Sequence, residues 1–275
     1  MKYKPSTKTE LQELVKDESV YLGDIDTSLI TDMSNLFDRS NVYRRDFSGI
    51  ESWDVSNVTD MSYMFCLCMD FNYPLDSWDV SNVTDMSYMF CMCFDFNQPL
   101  DSWNVGSVEY MMDMFSHCEN FNQPLNSWDV SNVITMDSMF CDCHNFNQPL
   151  DNWNVTNVRD MSCMFCECSK FNQPLNSWDV SNVVDMSSMF EKCVSFNQPL
   201  DEWNVENVTD MCCMFCGCCN FNRSLEKWGW KVSKVETETD MFEGCVSLKN
   251  KPSWHEWLVE KCQDEFDDEC DETLE

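Results

Sequence analysis

A tryptophan recurs every 25 residues through most of the chain, and this fixed period constrains the fold more than any other feature. A period of about 20 to 50 residues is the signature of an array in which each repeat stacks on its neighbours. The sequence therefore predicts one elongated domain, although 275 residues could form two globular ones. The tryptophans that mark the period are Trp53, Trp78, Trp103, Trp128, Trp153, Trp178, Trp203 and Trp228.

Each 25-residue repeat divides into two halves with different apolar spacing. The first half, L-x-x-W-x-V-x-x-V in residues 75–83, alternates apolar and polar residues at the period of a β-strand. The second half, M-x-x-M-F-x-x-C in residues 86–93, has the spacing of one face of a short helix. These halves predict an α/β repeat solenoid with a parallel β-sheet on one face and short helices on the other.

Helical segments are predicted at both ends of the array. Thr7 and Glu10 have the spacing of a helix capping box, and Ser253 and Glu256 have the same spacing near the C-terminus. Capping helices are expected because the open ends of a stack of repeats need a polar cover. The predicted organisation is an N-terminal capping helix in residues 1–22, a single leucine-rich-repeat-like solenoid of about nine repeats in residues 23–250, a C-terminal capping helix in residues 251–263, and an acidic disordered tail in residues 264–275.

The formal net charge of the protein is −32, which limits the partners it could bind. Such a surface repels the phosphates of nucleic acids and anionic lipids. We therefore expect no nucleic-acid binding and no membrane insertion. We expect the protein to be a monomer. Its expected partner is an unidentified protein, and a basic protein would match the negative charge.

The first residues contain no apolar core segment, which predicts that the protein has no secretory signal and stays in the cytoplasm. The 19 cysteines are then expected to be reduced thiols, since disulfides are rare in that compartment. Export to the cell surface by a signal-independent route is the alternative.

Cysteines occupy two positions of the repeat. The first position lies among Met and Phe on the predicted inward helix face, where cysteine is expected to pack as a small apolar side chain. The second lies two residues earlier and is expected to face outwards, since two residues correspond to about 200° around a helix. The inward set is Cys68, Cys93, Cys118, Cys143, Cys168, Cys193, Cys218 and Cys245, and the outward set is Cys66, Cys91, Cys141, Cys166 and Cys216.

A thiolate metal site or a redox response is the alternative function that the cysteines suggest. Soft thiolates select Zn²⁺ or Cu⁺, although C-x-C spacing is not the paired C-x-x-C of structural zinc sites. No cofactor or metal is predicted under the main hypothesis. Under the alternative, the ligands would come from Cys163, Cys166, Cys212, Cys213, Cys216 and Cys219.

Acidic residues also recur at two positions, one after the leucine and one after the tryptophan. Asp alternates with Asn along each column from residue 101 onward, which reduces repulsion between carboxylates stacked roughly 4.8 Å apart. An outward acidic face for a protein partner is the first functional hypothesis, and a DNA-like acidic rod is a weaker one. The predicted partner-binding residues are Asp54, Asp79, Asp101, Asp129, Asp151, Asp179 and Asp201.

No catalytic motif accompanies the repeat. The three histidines, His117, His144 and His255, have no Ser or Asp constellation in register, and the sequence has no phosphate loop, nucleophile elbow or H-E-x-x-H motif. The sequence therefore predicts a protein that is not an enzyme.

The consensus FNQPLxxWDVSNVTDMSxMFxxC resembles the repeats of BspA-like leucine-rich-repeat surface proteins, especially those of mycoplasmas and lactobacilli. The resemblance covers about residues 20–248. It implies a solenoid with a parallel sheet and short helices, a binding or adhesion role, and no catalytic residues. The sequence departs from the surface members because it shows no signal peptide or wall anchor and has more cysteine than the pattern needs.

Overall fold

Two α-helices flank a long stack of repeats. The structure, a computed structural model, describes residues 2–40 and 42–271, with the backbone alone for residues 264–271. Helix α1 spans Lys8–Lys16 and helix α2 spans His255–Asp271. Three 3₁₀ helices span Leu22–Asp24, Ile50–Ser52 and Glu226–Val232. Between residues 53 and 225 the backbone forms turns and isolated bridges, with no helix and no named strand.

Neighbouring repeats are joined by isolated parallel β-bridges, with one bridge between each two repeats. Each bridge joins residues that occupy the same place in neighbouring repeats. The series of parallel bridges is Asp32–Asp60, Asp60–Asp85, Asp85–Tyr110, Tyr110–Thr135, Thr135–Asp160, Asp160–Asp185, Asp185–Asp210 and Asp210–Thr237.

Backbone hydrogen bonds between repeats extend from this bridge through the second half of the repeat. The N–H of Met61 donates to the carbonyl oxygen of Asp85 at 2.9 Å, and that of Phe65 donates to Met89 at 2.9 Å. In the opposite direction, the N–H of Thr84 donates to the carbonyl of Thr59 at 2.8 Å. These bonds satisfy polar backbone groups that would otherwise be buried without partners.

The short helices predicted for the second half of the repeat are absent between residues 53 and 225. Tyr88 and Met92 both lie in the left-handed region with φ of 60°, which interrupts any right-handed helix. Turns replace it: the N–H of Met89 donates to Met86, and that of Cys93 donates to Phe90. A series of such turns also brings residues three apart to one side, so the apolar spacing fits these turns as well as the predicted helix.

The first half of the repeat forms no strand in the described residues. The sequence predicts parallel pairing in this half, whereas the structure places it in the second half. Turns close at both ends of this half, where the N–H of Trp78 donates to Leu75 and that of Val83 donates to Val80. The apolar alternation arises because Trp and Val point into the core between these turns.

The core is a set of columns that run the length of the stack. In the repeat around Trp103, the Leu, Trp, Val, Met, Phe and Cys positions are all buried. Phenylalanines stack between repeats, with ring centroids of Phe90 and Phe115 5.6 Å apart. Because each column continues into the next repeat, one repeat buries its apolar face only when neighbours are present.

Helix α1 closes the N-terminal end. Its N-cap Thr7 accepts a hydrogen bond from the N–H of Glu10 at 3.2 Å, while the Glu10 carboxylate binds the N–H of Ser6 at 2.7 Å, one residue beyond the predicted partner. Leu11 and Val15 are buried against the first repeat. The helix therefore covers the apolar end of the stack.

The guanidinium of Arg44 is buried beneath the segment that follows α1. It donates to the backbone carbonyl oxygens of Val15 at 3.3 Å, Asp17 at 3.2 Å and Val20 at 2.6 Å. Cations are favoured at helix C-termini, where carbonyl groups lack intrahelical partners. Arg44 therefore has a structural role.

Trp254, just before α2, occupies the tryptophan position on the last repeat. Its Nε1–H donates to the carbonyl of Leu225 at 2.9 Å. The predicted capping box at this end is wrong, because Ser253 binds Glu226 through both its hydroxyl and its N–H and not Glu256. Helix α2 continues through Asp271, beyond the predicted cap and into the segment for which composition predicts disorder; residues 272–275 lie outside the described residues.

Candidate functional surfaces

The aspartate columns lie on the outer side of the first half of each repeat. The exposed members are Asp54, Asp79, Asp101, Asp129, Asp151 and Asp179, and Asp201 is partly exposed. Their neighbours Leu, Trp and Val are buried, so the backbone that bears the carboxylates is fixed by the core. The predicted residues are therefore accessible to solvent, and the packed core fixes the position of their backbone.

Short turns hold the carboxylates that follow the tryptophans. Oδ1 of Asp54 accepts hydrogen bonds from the N–H and hydroxyl of Ser56, at 3.1 and 2.6 Å. In Asp129, hydrogen bonds from the hydroxyl and N–H of Ser131 lower the pKa of the carboxyl group. These hydrogen bonds favour the charged form of the carboxyl group, which is ionised at neutral pH.

In the column that follows the leucine of each repeat, an asparagine forms hydrogen bonds to the neighbouring repeat. The Nδ2 of Asn126 donates to Oδ1 of Asp151 at 3.1 Å, while its Oδ1 accepts from the N–H of Asn152 at 3.0 Å. The predicted amide donor for a stacked carboxylate is therefore present at this position.

Asp201 differs from the other predicted partner-binding residues because it already has a cation. Its carboxylate lies 2.7 Å from the Nζ of Lys227, and the hydrogen bond from Lys227 lowers the pKa of Asp201. The acidic columns therefore end here, one repeat before the C-terminal end of the stack.

The inward cysteine column is buried, which confirms its predicted place in the core. Each thiol also has a polar partner that the sequence did not suggest. The Sγ of Cys118 donates to the carbonyl oxygen of Phe90 at 3.1 Å, and that of Cys143 donates to Phe115 at 3.0 Å. Burial raises the pKa of Cys118, so this thiol stays protonated.

The prediction that the second cysteine column faces solvent is wrong. Cys91 and its counterpart Ser116 are buried, and Cys66, Cys141, Cys166 and Cys216 are half-buried. The angle of 200° applies to a helix, whereas this segment forms turns with left-handed residues next to the cysteines, such as Leu67 and Met92. The Cys66 thiol of the preceding repeat, together with burial, raises the pKa of Cys91.

The six cysteines of the alternative metal set do not come together. The Sγ atoms of Cys212 and Cys213 lie 3.7 Å apart, but Cys163 and Cys166 belong to a repeat two positions earlier. Among the side chains described, the one group of three or more potential ligands at metal-binding distance contains no cysteine. A shared thiolate site in this set therefore lacks structural support.

That one group consists of Asp142, His144 and Glu167, whose ligand atoms all lie within 4.8 Å of one another. His117 adjoins it, with Nδ1 3.4 Å from Oδ2 of Asp142. The sequence suggested scattered histidines, whereas the structure brings two of them to one carboxylate. A comparison of repeat positions could have found the cluster, since residues 117, 142 and 167 occupy the same place in successive repeats.

These features define a protein built from stacked 25-residue repeats, with acidic residues on its outer side. Three overlapping segments, residues 9–118, 99–192 and 173–269, match the family described as "Mycoplasma protein of unknown function, DUF285". The matched segments span most of the sequence, and the chain belongs to this family. No curated protein and no solved structure matches it.

In the described part of the protein, no helix has the length and apolar character needed to span a bilayer.

Proposed function

We propose that this protein is a non-catalytic repeat solenoid whose acidic columns bind a protein partner or mediate adhesion. The observation that carries the proposal is the exposure of Asp54, Asp79, Asp101, Asp129, Asp151 and Asp179. The repeated interior residues are already engaged with each other across the stack, whereas these carboxylates remain available to a partner.

Regular spacing makes such a surface suited to an extended ligand. Equivalent side chains of successive repeats lie close to each other, as the 3.1 Å hydrogen bond from Asn126 to Asp151 illustrates, so the carboxylates form rows along the stack. Solenoid proteins use extended surfaces of this kind for binding. A partner with a row of Lys or Arg residues would match the charge, and its association should slow as ionic strength rises.

The adhesion version of the proposal rests on the resemblance to BspA-like leucine-rich-repeat surface proteins. It requires the acidic columns to lie outside the cell. Brief protease treatment of intact source cells would test this, with a cytoplasmic protein as the control for lysis. Cleavage of this protein while the control remains intact would support adhesion; protection until lysis would restrict the proposal to an internal partner.

The acidic columns are tested with a triple variant that replaces Asp129, Asp151 and Asp179 by Asn. A matched control replaces Asp70, Asp95 and Glu119 by Asn, Asn and Gln, which removes the same charge from exposed positions in the turn after the buried cysteine. Each purified protein is immobilised, and the proteins that it retains from the source cell are quantified.

The proposal expects a retained protein that binds the wild type and the control variant and is lost from the column variant. Equal retention by all three proteins would show that these columns are not the binding site. Equal loss from both variants would show that overall charge, and not this surface, determines binding.

A redox response is the second candidate, and one observation favours it. Cys141 and Cys166 occupy the same place in neighbouring repeats, and the Cys166 thiol, together with burial, raises the pKa of Cys141. Oxidised glutathione could convert two such thiols to a disulfide while it is reduced to two glutathione molecules. Because a raised pKa leaves little thiolate for the exchange, this role ranks second. Peptide mapping after treatment with oxidised glutathione would test it, and two unmodified thiols would exclude it.

A further inference from the structure

We propose that Asp142, His144 and Glu167 bind one divalent transition-metal ion of the Zn²⁺ type. This site is separate from the acidic columns. It lies in the turns of the second half of the repeat, and either proposal can fail without the other.

The orientation of His144 prepares it to bind a metal ion. Its Nδ1 lies 2.8 Å from the backbone carbonyl oxygen of Glu167, and because a carbonyl only accepts, Nδ1 carries the proton. The lone pair of the imidazole is then on Nε2, which lies 3.8 Å from Oδ1 of Asp142. A carbonyl bound to the distal nitrogen is the usual partner of a histidine ligand.

The separations match a site that needs only a small contraction. Zn²⁺ binds imidazole nitrogen and carboxylate oxygen at about 2.0–2.2 Å, which places the ligands of a tetrahedral site roughly 3.5 Å apart. The ligand atoms of Asp142, His144 and Glu167 already lie within 4.8 Å of one another. Side-chain rotation without backbone movement can make up the difference.

The backbone of the site is held by the stack. Asp142 and Glu167 both occupy left-handed conformations, with φ of 59° and 60°. Their N–H groups donate to the carbonyl oxygens of Cys166 at 2.8 Å and Glu191 at 2.7 Å in the following repeats. The two carboxylates therefore project from fixed, equivalent points of neighbouring repeats.

His117 orients the Asp142 carboxylate. Its Nδ1 lies 3.4 Å from Oδ2, the oxygen opposite the one nearest His144. A neighbour that holds the outer oxygen of a ligand carboxylate is typical of metal sites. We assign His117 as a positioning residue.

Lys192 competes with the metal ion for Glu167. Its Nζ forms an ion pair with Oε1 of Glu167, and both side chains are partly exposed to solvent. An exposed pair of this kind is weak because water screens it. A divalent cation bound also by Asp142 and His144 should displace the ammonium group.

The donor set selects the class of ion. Imidazole is a good ligand for Zn²⁺ and similar transition metals, whereas Mg²⁺ and Ca²⁺ prefer oxygen ligands. Three protein ligands leave a fourth position for water. The probe is therefore Zn²⁺, with Mg²⁺ as the comparison.

Nuclear magnetic resonance of the histidine nitrogens tests the site directly, because zinc bound only by cysteines does not coordinate these nitrogens. The protein contains three histidines. His255 is buried away from the site, with its Nε2 3.4 Å from Oε2 of Glu238. Reduced full-length protein with ¹⁵N-labelled histidine is titrated with Zn²⁺. We expect the Nε2 resonance of His144 to shift, its Nδ1 to stay protonated, and the His255 resonances to remain unchanged. Zinc uptake without a shift at His144, or an equal response to Mg²⁺, would overturn the proposal.

Variants then assign the ligands from the same titration and from calorimetry. Asp142→Asn should weaken Zn²⁺ binding at His144 at least about tenfold, and His117→Gln should weaken it by about tenfold. Lys192→Gln should strengthen binding about two- to fivefold by freeing Glu167. Lys170→Gln is the matched control, because Lys170 is exposed and pairs with Asn145. Equal effects of Lys192→Gln and Lys170→Gln, or unchanged binding in Asp142→Asn, would contradict the assignment.

Discussion

The indole Nε1–H of Trp153 donates a hydrogen bond to the backbone carbonyl oxygen of Leu125, 2.9 Å away in the preceding repeat. The ring is buried, so one residue both fills the core and satisfies a backbone group. No other amino acid has both this volume and a single donor at the edge of its ring. The same bond joins each marker tryptophan to the preceding repeat.

Trp153→Phe should destabilise the protein by about 1–3 kcal/mol, because it removes the bond to Leu125 and leaves unfilled volume. Urea unfolding would measure this loss. Trp230 is the internal control, since its side chain is 73% exposed and Trp230→Phe should change stability by less than about 0.5 kcal/mol. Equal losses in the two variants would contradict the role of the buried bond.

Gly217 and Gly106 should respond in opposite directions to alanine. Gly217 has φ of +73°, and a Cβ there would lie 3.1 Å from Cγ of Lys192. Gly217→Ala should therefore cost about 0.5–1.5 kcal/mol, the left-handed penalty less the entropy gain. Thermal unfolding and urea titration would measure the change.

Gly106 occupies a position where Ser81 and Ser131 stand in the neighbouring repeats, and its φ is not positive. Its nearest neighbour, Oδ1 of Asn104, lies 3.3 Å from the added Cβ and accepts the N–H of Gly106, and the equivalent bonds of Ser81 and Ser131 form with a Cβ in place. Gly106→Ala should stabilise the protein by about 0.4–1 kcal/mol. If both alanine variants lose stability, the argument from backbone conformation is wrong.

Asp113→Asn should stabilise the protein at pH 7 by about 0.5–2 kcal/mol. Burial raises the pKa of Asp113, so the folded state binds its proton more tightly than the unfolded state. The wild type therefore loses stability as pH rises from near 3.8, the unfolded value, through the folded pKa. Asn has no such loss and also tolerates the left-handed φ of 51° at this position.

Urea unfolding of wild type and Asp113→Asn between pH 3 and 7 would check this prediction. The stability difference should be small at pH 3 and grow as pH rises. Asp79→Asn is the contrasting variant, since hydrogen bonds from Ser81 lower the pKa of Asp79 and the exposed carboxylate should favour the folded state at neutral pH. A difference for Asp113→Asn that is independent of pH would exclude the buried charge as its cause.

Alkylation rates should show that the half-buried thiols are poor nucleophiles. Burial raises the pKa of Cys163 to about 12 and, with the neighbouring Cys212 thiol, that of Cys213 to about 11. Because the thiolate is the reactive form, both residues should react with iodoacetamide far more slowly at pH 8 than in urea. The rates should rise about tenfold per pH unit. Peptide mapping gives both rates, and native reaction as fast as in urea would contradict the prediction.

The repeat positions that enter the core could be predicted from sequence. Leu100, Trp103, Val105, Met114 and Phe115 are apolar at fixed spacing, and all are buried. Burial follows from side-chain chemistry repeated at a constant interval, which requires no knowledge of the backbone path. The tandem-repeat organisation is supported in the same way by the match to a repeat family.

The local backbone could not be predicted, as residues 86–93 illustrate. Their apolar spacing fits both a helix face and a series of turns. The N–H groups of Tyr88 and Phe90 bind carbonyl oxygens of the next repeat instead of closing helical bonds within the segment. The apolar spacing within the segment does not show which carbonyl oxygen each N–H will bind, because the acceptor in the folded protein is 24 residues away in the sequence.

The sequence alone determined the period, the buried columns and the acidic character of the outer positions, because each depends on residue type at a fixed interval. The tertiary structure decided which half of the repeat carries the parallel pairing and where the polar side chains meet. Asp142 and Glu167 are 25 residues apart in the sequence yet lie at the same site with His144. Stacking converts a sequence interval into a distance in space, and that conversion depends on hydrogen bonds between repeats that form only in the folded protein.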